Sequence, residues 1–322
     1  MSLARRVLVL GGCVAVLVLA LLIAPSVSAS DLSGAAAERA LRDLHRPRAI
    51  FGAFAGFGLA LCGVVLQSVL KNPLASPYTL GIASGAAVGA VTAIRFAGGS
   101  AMAVSAGALL GAVLTAGLVY VVAALRHHAA ETLLLTGVAV TLFAGAITTL
   151  LHYLALSSTP DLVAMIRWSM ASLEVVGTDQ LWPAGILVGL GILVLLPIAR
   201  QLDVASLDDE SARGLGVDPV RVRRLAFVGT SVITAGVVAF AGPVGFVGLI
   251  VPHAVRPFTG PDPRLLLPCA ACVGGAFLIA ADLAARTLLY PTSLPLNVIT
   301  YAIGCPAFIW ILVRRPSAGP IE

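Results

Sequence analysis

Ten stretches of this 322-residue chain are apolar over a length that crosses, or nearly crosses, a lipid hydrocarbon layer: about 7–24, 49–70, 79–97, 101–125, 132–156, 181–199, 222–241, 244–256, 265–289 and 296–313. A hydrocarbon core about 30 Å thick needs roughly 20 helical residues to traverse. Inside it every backbone N–H and C=O has to be paired within the segment, so the stretches read as helices. The pattern makes the chain an all-α polytopic membrane protein with ten transmembrane helices. A soluble core does not fit a chain that is 59% hydrophobic and 11% charged. The 33 glycines and the abundant alanines suit helices that approach one another on small side chains. The eighth stretch is short, and its "GPVGFVG" opening at Gly242–Gly248 predicts a helix that is tilted, broken or shielded by neighbours.

Arg5 and Arg6, an apolar run and "SVSAS" imitate a secretory signal cleaved after Ala29. The run from Val7 to Ala24 nevertheless reaches about 27 Å as a helix, close to a full crossing, and predicts a retained span. Sidedness follows from the cationic loops. With the N-terminus inside, 13 Lys and Arg fall on the inner side, among them Arg5, Arg6, Lys71, Arg213, Arg223 and Arg264. The other seven, Arg39, Arg42, Arg46, Arg48, Arg95, Arg167 and Arg286, fall outside and are mixed with carboxylates. This bias places both termini in the cytoplasm. Residues 1–322 then form a single transmembrane domain, with loops at 25–48 and 157–180 long enough for short helices only.

Net charge +5 raises the question of nucleic acid, but the arginines lie between apolar runs and form no basic tract with interleaved aromatics. Positive membrane loops account for them. The five cysteines all lie in apolar segments, and Cys269 and Cys272 read as small-residue helix packing. No metal site, disulfide or bound cofactor is expected.

Catalysis has little to work with. His152, Asp282 and Arg286 are the main reactive groups inside the spans, and no G-x-S-x-G or H-E-x-x-H is present. An ion-coupled secondary transporter would need intramembrane ionisable groups. Asp282 and Arg286 stand at i and i+4, where a pair solves a burial problem more readily than it carries protons. An ATP-driven pump needs a P-loop lysine, and the single lysine, Lys71, lies in "LKNPLA". Any ATPase would be a separate subunit.

From Arg46 onward the chain resembles the FecCD-type permeases, the membrane subunits of ABC importers for iron-siderophores, haem and cobalamin. The resemblance is carried in order by "RPRAIFGAFAGFGLALCGVVLQSVLKNPLASPYTLGIASGAAVGA", "LLLTGVAVTLFAGAITTLL", "LDDESARGLGVDPVRVRRL", "AGPVGFVGLIVPHAVRPFTGPDPRLLLP" and "ADLAARTLLYPTSLPLNVITYAIGCPAFIWILVRR". It implies a type II ABC importer permease fold in a bacterial or archaeal cytoplasmic membrane. It also implies a second permease, identical or paralogous, two ATP-binding subunits that carry ATP and Mg, and a periplasmic or lipid-anchored substrate-binding protein. A ferric siderophore is the first expectation for the cargo, with haem and cobalamin as alternatives.

The resemblance also nominates residues. The ATPase contact falls on a coupling segment at 203–220, in particular Leu207, Asp208, Asp209, Glu210, Ala212, Arg213, Gly214, Leu215 and Gly216. Acidic residues opening a short helix, glycines at its exit and Pro219 opening the next helix would make this a rigid knob. Carboxylates of the binding protein would meet Arg46 or Arg48 and Arg286, although His45 stands where the family's first arginine is usual. Thr141, Gly145, Thr148 and His152 of the fifth span, Asn297 and Thr300 of the tenth, and Arg167 outside the fifth would line the path. For Arg167 two readings stay open, an anionic cargo and a lipid headgroup. His253 and Asn72 would stabilise turns near the ATPase side.

Overall fold

The computed structural model describes residues 3–27, 44–174, 178–290 and 292–314. Among them every regular element is helical: α1 Leu3–Val27, α2 Arg46–Val69, α3 Ile82–Phe96, α4 Ala101–Ala124, α5 Ala130–Leu154, α6 Thr159–Ser169, α7 Thr178–Leu195, α8 Leu202–Ala205, α9 Asp209–Gly214, α10 Pro219–Ala241, α11 Val247–Thr259, α12 Pro263–Thr287 and α13 Leu296–Arg314. Short 3₁₀ turns at Pro77–Leu80 and Leu196–Ile198 precede α3 and extend α7. Each of the ten apolar stretches holds a helix. Seven helices, α1, α2, α4, α5, α7 with its 3₁₀ extension, α10 and α12, are long and apolar enough to cross a membrane. The apolar parts of α3 and α13 are shorter, and α11 has only 13 residues. Of the two outer loops, 157–180 carries the short helix α6; most of 25–48 lies outside the described residues.

Burial separates an inner from an outer set. In the most apolar window of α2, α10 and α12, 72–78% of residues are buried, against 6–28% in α1, α4, α5 and α7. The outer helices keep large apolar side chains exposed along their length, such as Leu114, Leu142 and Leu190. In a membrane protein those faces meet lipid or another subunit. The inner helices touch backbone to backbone. A Cβ on Gly56 would lie 2.1 Å from the Gly274 carbonyl oxygen of α12, and one on Gly63 would lie 1.8 Å from that of Gly248 in α11. Without a hydrophobic drive between helices in lipid, close packing of this kind supplies much of the cohesion.

The α10–α11 junction is unwound, as "GPVGFVG" suggested, and α11 begins at Val247 rather than 244. Gly242 and Phe246 hold positive φ, +73° and +69°, so the chain turns sharply here. Exposed backbone groups at membrane depth need partners. Asn297 supplies them: its amide donates to the Pro243 carbonyl at 2.8 Å and accepts from the Gly245 N–H at 3.3 Å. One turn on, Pro252 has no N–H to offer the Gly248 carbonyl four residues back. The Gln67 amide, buried in α2, donates to that carbonyl at 3.3 Å, and Arg256 donates to the Gln67 Oε1 at 3.2 Å. Side chains of α2 and α13 thus replace the ladder that the Pro and Gly residues interrupt.

Ion pairs collect helix ends on two faces. On one, Arg6 of α1 pairs with Asp262 before α12, and Lys71 after α2 pairs with Asp209 of α9. On the other, Arg48 at the start of α2 pairs with Asp282 near the end of α12, and Arg95 at the end of α3 pairs with Asp161 of α6.

Candidate functional site

Between α7 and α10 the chain leaves the bundle and folds as a compact knob. Asp208 caps α9, accepting from the Ser211 N–H at 2.9 Å, and Asp209 and Glu210 occupy its first turn, where carboxylates complement the helix dipole. The Ser211 N–H holds the Asp208 carboxyl below the usual range. Gly216, at φ +80°, makes the left-handed exit. Gly214 stays helical as the last residue of α9, so one glycine makes the turn and not the pair. Asp218 accepts from the Val220 N–H at 2.9 Å and Pro219 takes the first position of α10.

The knob is clamped to the bundle. Arg223, in the second turn of α10, donates from both terminal nitrogens to Asp209, at 2.9 and 2.8 Å. Lys71 adds a bond at 3.2 Å. Hydrogen bonding from Arg223, and more weakly from Lys71, holds the Asp209 carboxyl down to about 2. Two parallel bonds fix direction as well as distance. Ala212 is buried beneath the knob, while Leu207, Glu210, Arg213 and Leu215 are exposed on it. An exposed apolar pair ringed by charge, on a helix that cannot swivel, is a surface suited to receiving another protein. Asp209, nominated as a contact, is instead largely occupied in holding α9 in place.

At the opposite face Asp282 binds two of the nominated docking arginines. Arg48 reaches both its oxygens, from Nε at 2.9 and 3.0 Å and from a terminal nitrogen at 2.8 Å. Arg286 Nε lies 3.2 Å away. The side chains are 12%, 5% and 11% exposed, so α2 and α12 are joined by a nearly buried cation–anion–cation group. His45 joins it, its Nδ1 3.2 Å from Arg286; burial, then Arg286 and Arg48, push its imidazole below the usual range. Arg46 is exposed and makes no ion pair among the described residues.

The nominated path residues fall into two groups. Thr141, Gly145, Thr148 and His152 form one stripe of α5, half-buried except for exposed Gly145. Both threonine hydroxyls bond back to their own helix, to Gly137 and Ala144, which leaves a smooth, weakly polar strip. In α13, Asn297 is committed to the α10–α11 junction, and Thr300 is fully buried, so neither presents a side chain to a solute in this conformation. Arg167 is exposed on α6, beside a cavity to which no residue of α5 contributes. Asn72 makes the turn after α2, accepting from the Leu74 N–H at 2.8 Å. His253 Nδ1 meets the Leu249 carbonyl at 2.8 Å within α11. Arg223 and Gln67 are the functional supports that sequence reasoning passed over, since their partners lie 14 and 181 residues away.

The profile of the FecCD transport family matches residues 7–314. A cobalamin import system permease protein, BtuC of Halobacterium salinarum, is 43% identical over 273 residues, which is 84% of this chain and 73% of the relative. The hemin transport system permease protein HmuU of Yersinia pestis is 34% identical, covering 85% and 83%. A Helicobacter pylori iron chelatin transport system permease is 31% identical, covering 84% and 82%. Among solved structures, one described as an inward-facing metal-chelate type ABC transporter superposes with a TM-score of 0.86 at 29% identity, over 95% of this chain and 99% of its own. The chain therefore belongs to the FecCD transport family and is a multi-pass membrane permease of the ABC importer class.

Proposed function

We propose that this permease carries a large metal-chelate complex into the cell through a path shared with a second permease subunit, driven by two separate ATP-binding subunits that bind ATP and Mg. It crosses the cytoplasmic membrane of a bacterium or archaeon ten times, with both termini in the cytoplasm. A periplasmic or lipid-anchored binding protein delivers cargo to the face that holds Arg46, Arg48 and Arg286. The observation that carries this reading is the clamped knob of Leu207–Gly216, rigid on one side through Asp209 and Arg223 and exposed on the other. The Thr141, Gly145, Thr148 and His152 stripe supports α5 as one wall of the path. Such a wall makes few specific bonds, so selectivity falls to the binding protein. One relative named for cobalamin is 43% identical and another named for vitamin B12 is 34% identical, against 34% and 31% for those named for hemin and iron chelatin. Cobalamin is accordingly the cargo to test before haem or a ferric siderophore.

Reconstitution with the cognate ATPase and binding protein tests the proposal. Cargo-stimulated ATP hydrolysis and uptake are expected, and Arg213→Glu or Glu210→Lys on the exposed face of the knob uncouples them while leaving binding-protein docking intact. Uptake in vesicles without any ATPase would overturn the reading in favour of an ion-coupled carrier. That alternative would use Asp282, which two arginines already neutralise.

A further inference from the structure

The turn between α4 and α5 carries two adjacent histidines that the transport reading leaves unused. His127 and His128 both hold positive φ, +51° and +53°, and the His128 N–H closes the end of α4 on the Ala123 carbonyl at 2.8 Å. Consecutive non-glycine residues in the left-handed region are uncommon and persist where their surroundings fix them. Here the two side chains part. His127 is exposed, whereas His128 is 6% exposed and its ring packs on Tyr120 with centroids 4.8 Å apart. Tyr120 in turn packs on Phe227 of α10, at 6.1 Å. Phe227 stands one helical turn after Arg223, so the histidine is brought to the end of α10 that holds the knob clamp.

Both Arg223 and His128 keep a buried polar atom without a partner. Arg223, 6% exposed, gives its two terminal nitrogens to Asp209, and its Nε–H is left over. His128 Nδ1 is buried and unpartnered as well. Neither atom is open to water, so a partner for either has to be a protein group. A leftover donor and, on a neutral imidazole, a leftover acceptor are complementary, and native structures rarely bury such atoms unused. Burial, then Arg224, Arg223 and His127, push the His128 imidazole below its usual range, so the neutral form prevails at pH 7. The remaining charges of the turn and of the start of α5, Arg126 and Glu131, are exposed. We infer that His128 is a positioning residue for coupling: when the ATPase displaces the knob, His128 Nδ1 accepts the Arg223 Nε–H, and the motion passes to the turn that opens α5. Arg223 then bridges Leu207–Gly216 and the proposed path wall through two side chains. Protonation places a hydrogen on Nδ1, so that two donors face each other and the bridge fails.

This role for His128 rests on the reading of Leu207–Gly216 as the ATPase contact, and the test keeps the two apart. The full-length permease, labelled with isotopic nitrogen in histidine, is assembled with its ATPase in vesicles, and the His128 Nδ1 resonance is assigned by its loss in His128→Asn. The resonance is expected at the free-acceptor position without nucleotide and at the hydrogen-bonded position when ATP with vanadate traps the ATPase. Arg223→Lys keeps a cation for Asp209 but has no Nε–H, and should abolish the change. Cargo taken up per ATP is then followed with the binding protein and whichever of cobalamin, haem and a ferric siderophore stimulates hydrolysis. His128→Phe keeps a ring for Tyr120 without the acceptor and is expected to lower that ratio about tenfold, the scale of one hydrogen bond to a charged group. His128→Asn restores an acceptor and retains the ratio. In the unsubstituted protein the ratio is flat above the ordinary 6.5 and falls below it, a fall that His128→Asn removes. An Nδ1 resonance unmoved by trapping in an assembled complex, or equal uptake per ATP in His128→Phe and His128→Asn, overturns the bridge. A permease that recruits no ATPase overturns the reading of the knob, and the bridge with it.

Discussion

Replacing Asp209 by alanine removes the counter-charge from Arg223, whose side chain is 7% exposed. Breaking a buried pair in this direction strands a desolvated cation and costs about 3–5 kcal/mol. Replacing Arg223 by methionine acts on the same bond from the other end and strands much less. Asp209 is 35% exposed and keeps Lys71 at 3.2 Å. Its carboxyl sits at about 2 rather than 3.8, which undiscounted corresponds to about 2 kcal/mol; with a third of the side chain in water about 1 kcal/mol remains. The two halves of one ion pair should therefore differ about threefold in cost, and Asp209→Ala with Arg223→Met together should be less damaging than Asp209→Ala alone. Denaturation of the purified permease in detergent at pH 7, followed by tryptophan fluorescence, measures all three variants. The folded-state carboxyl is depressed, so its contribution is complete above pH 4 and fades as pH falls toward 2. Arg223→Met proving as costly as Asp209→Ala, or a double variant no better than the single, would refute the argument that burial of Arg223 sets the scale.

Asp282→Asn removes the carboxylate that Arg48 and Arg286 share. A loss of about 3–5 kcal/mol is expected, partly restored by Arg48→Met and read from the same denaturation curves. Asn297→Leu removes both bonds at the α10–α11 junction, costing about 2–3 kcal/mol, and amide exchange at Gly245 and Phe246 should quicken more than in α10. Burial, then Arg286 and Arg48, push the His45 imidazole below its usual range, against a smaller opposing pull from Asp282. Stability should therefore be flat above its ordinary 6.5, decline as pH falls below that value, and lose this slope in His45→Gln.

Helix positions were legible in the sequence because each span declares itself by a local property, the length of an apolar run. The broken entry to α11 was legible too, since Gly242, Pro243 and Gly245 write the interruption into one short stretch. What mends the break was not, because Asn297 and Gln67 act through space from α13 and α2 and carry no periodic mark. The charged ends show the same division. Asp282 and Arg286 stand four apart on one helix and were paired on paper, whereas the stronger partner, Arg48, is 234 residues away. Within the knob, acidic residues at a helix start and Pro219 at the next could be read directly. That Asp209 faces inward to Arg223 while Glu210 faces outward depends on how α9 lies on α10, which adjacency in the chain does not specify.

The glycine contacts of α2 bear on how such a permease can move at all. Where two backbones touch through Gly56 and Gly274, and through Gly63 and Gly248, there is no cushion of side chains to shear. Sliding one helix along the other would drive a carbonyl into the space of the next residue. The α2, α11 and α12 helices consequently behave as one stiff chassis, with the Asp282 group bolting α2 to α12 at one end. The contact pattern of α5 is mixed by comparison: a Cβ on its Gly137 would lie 2.2 Å from the Thr79 carbonyl oxygen, whereas its Gly145, two turns on, meets nothing within 4 Å.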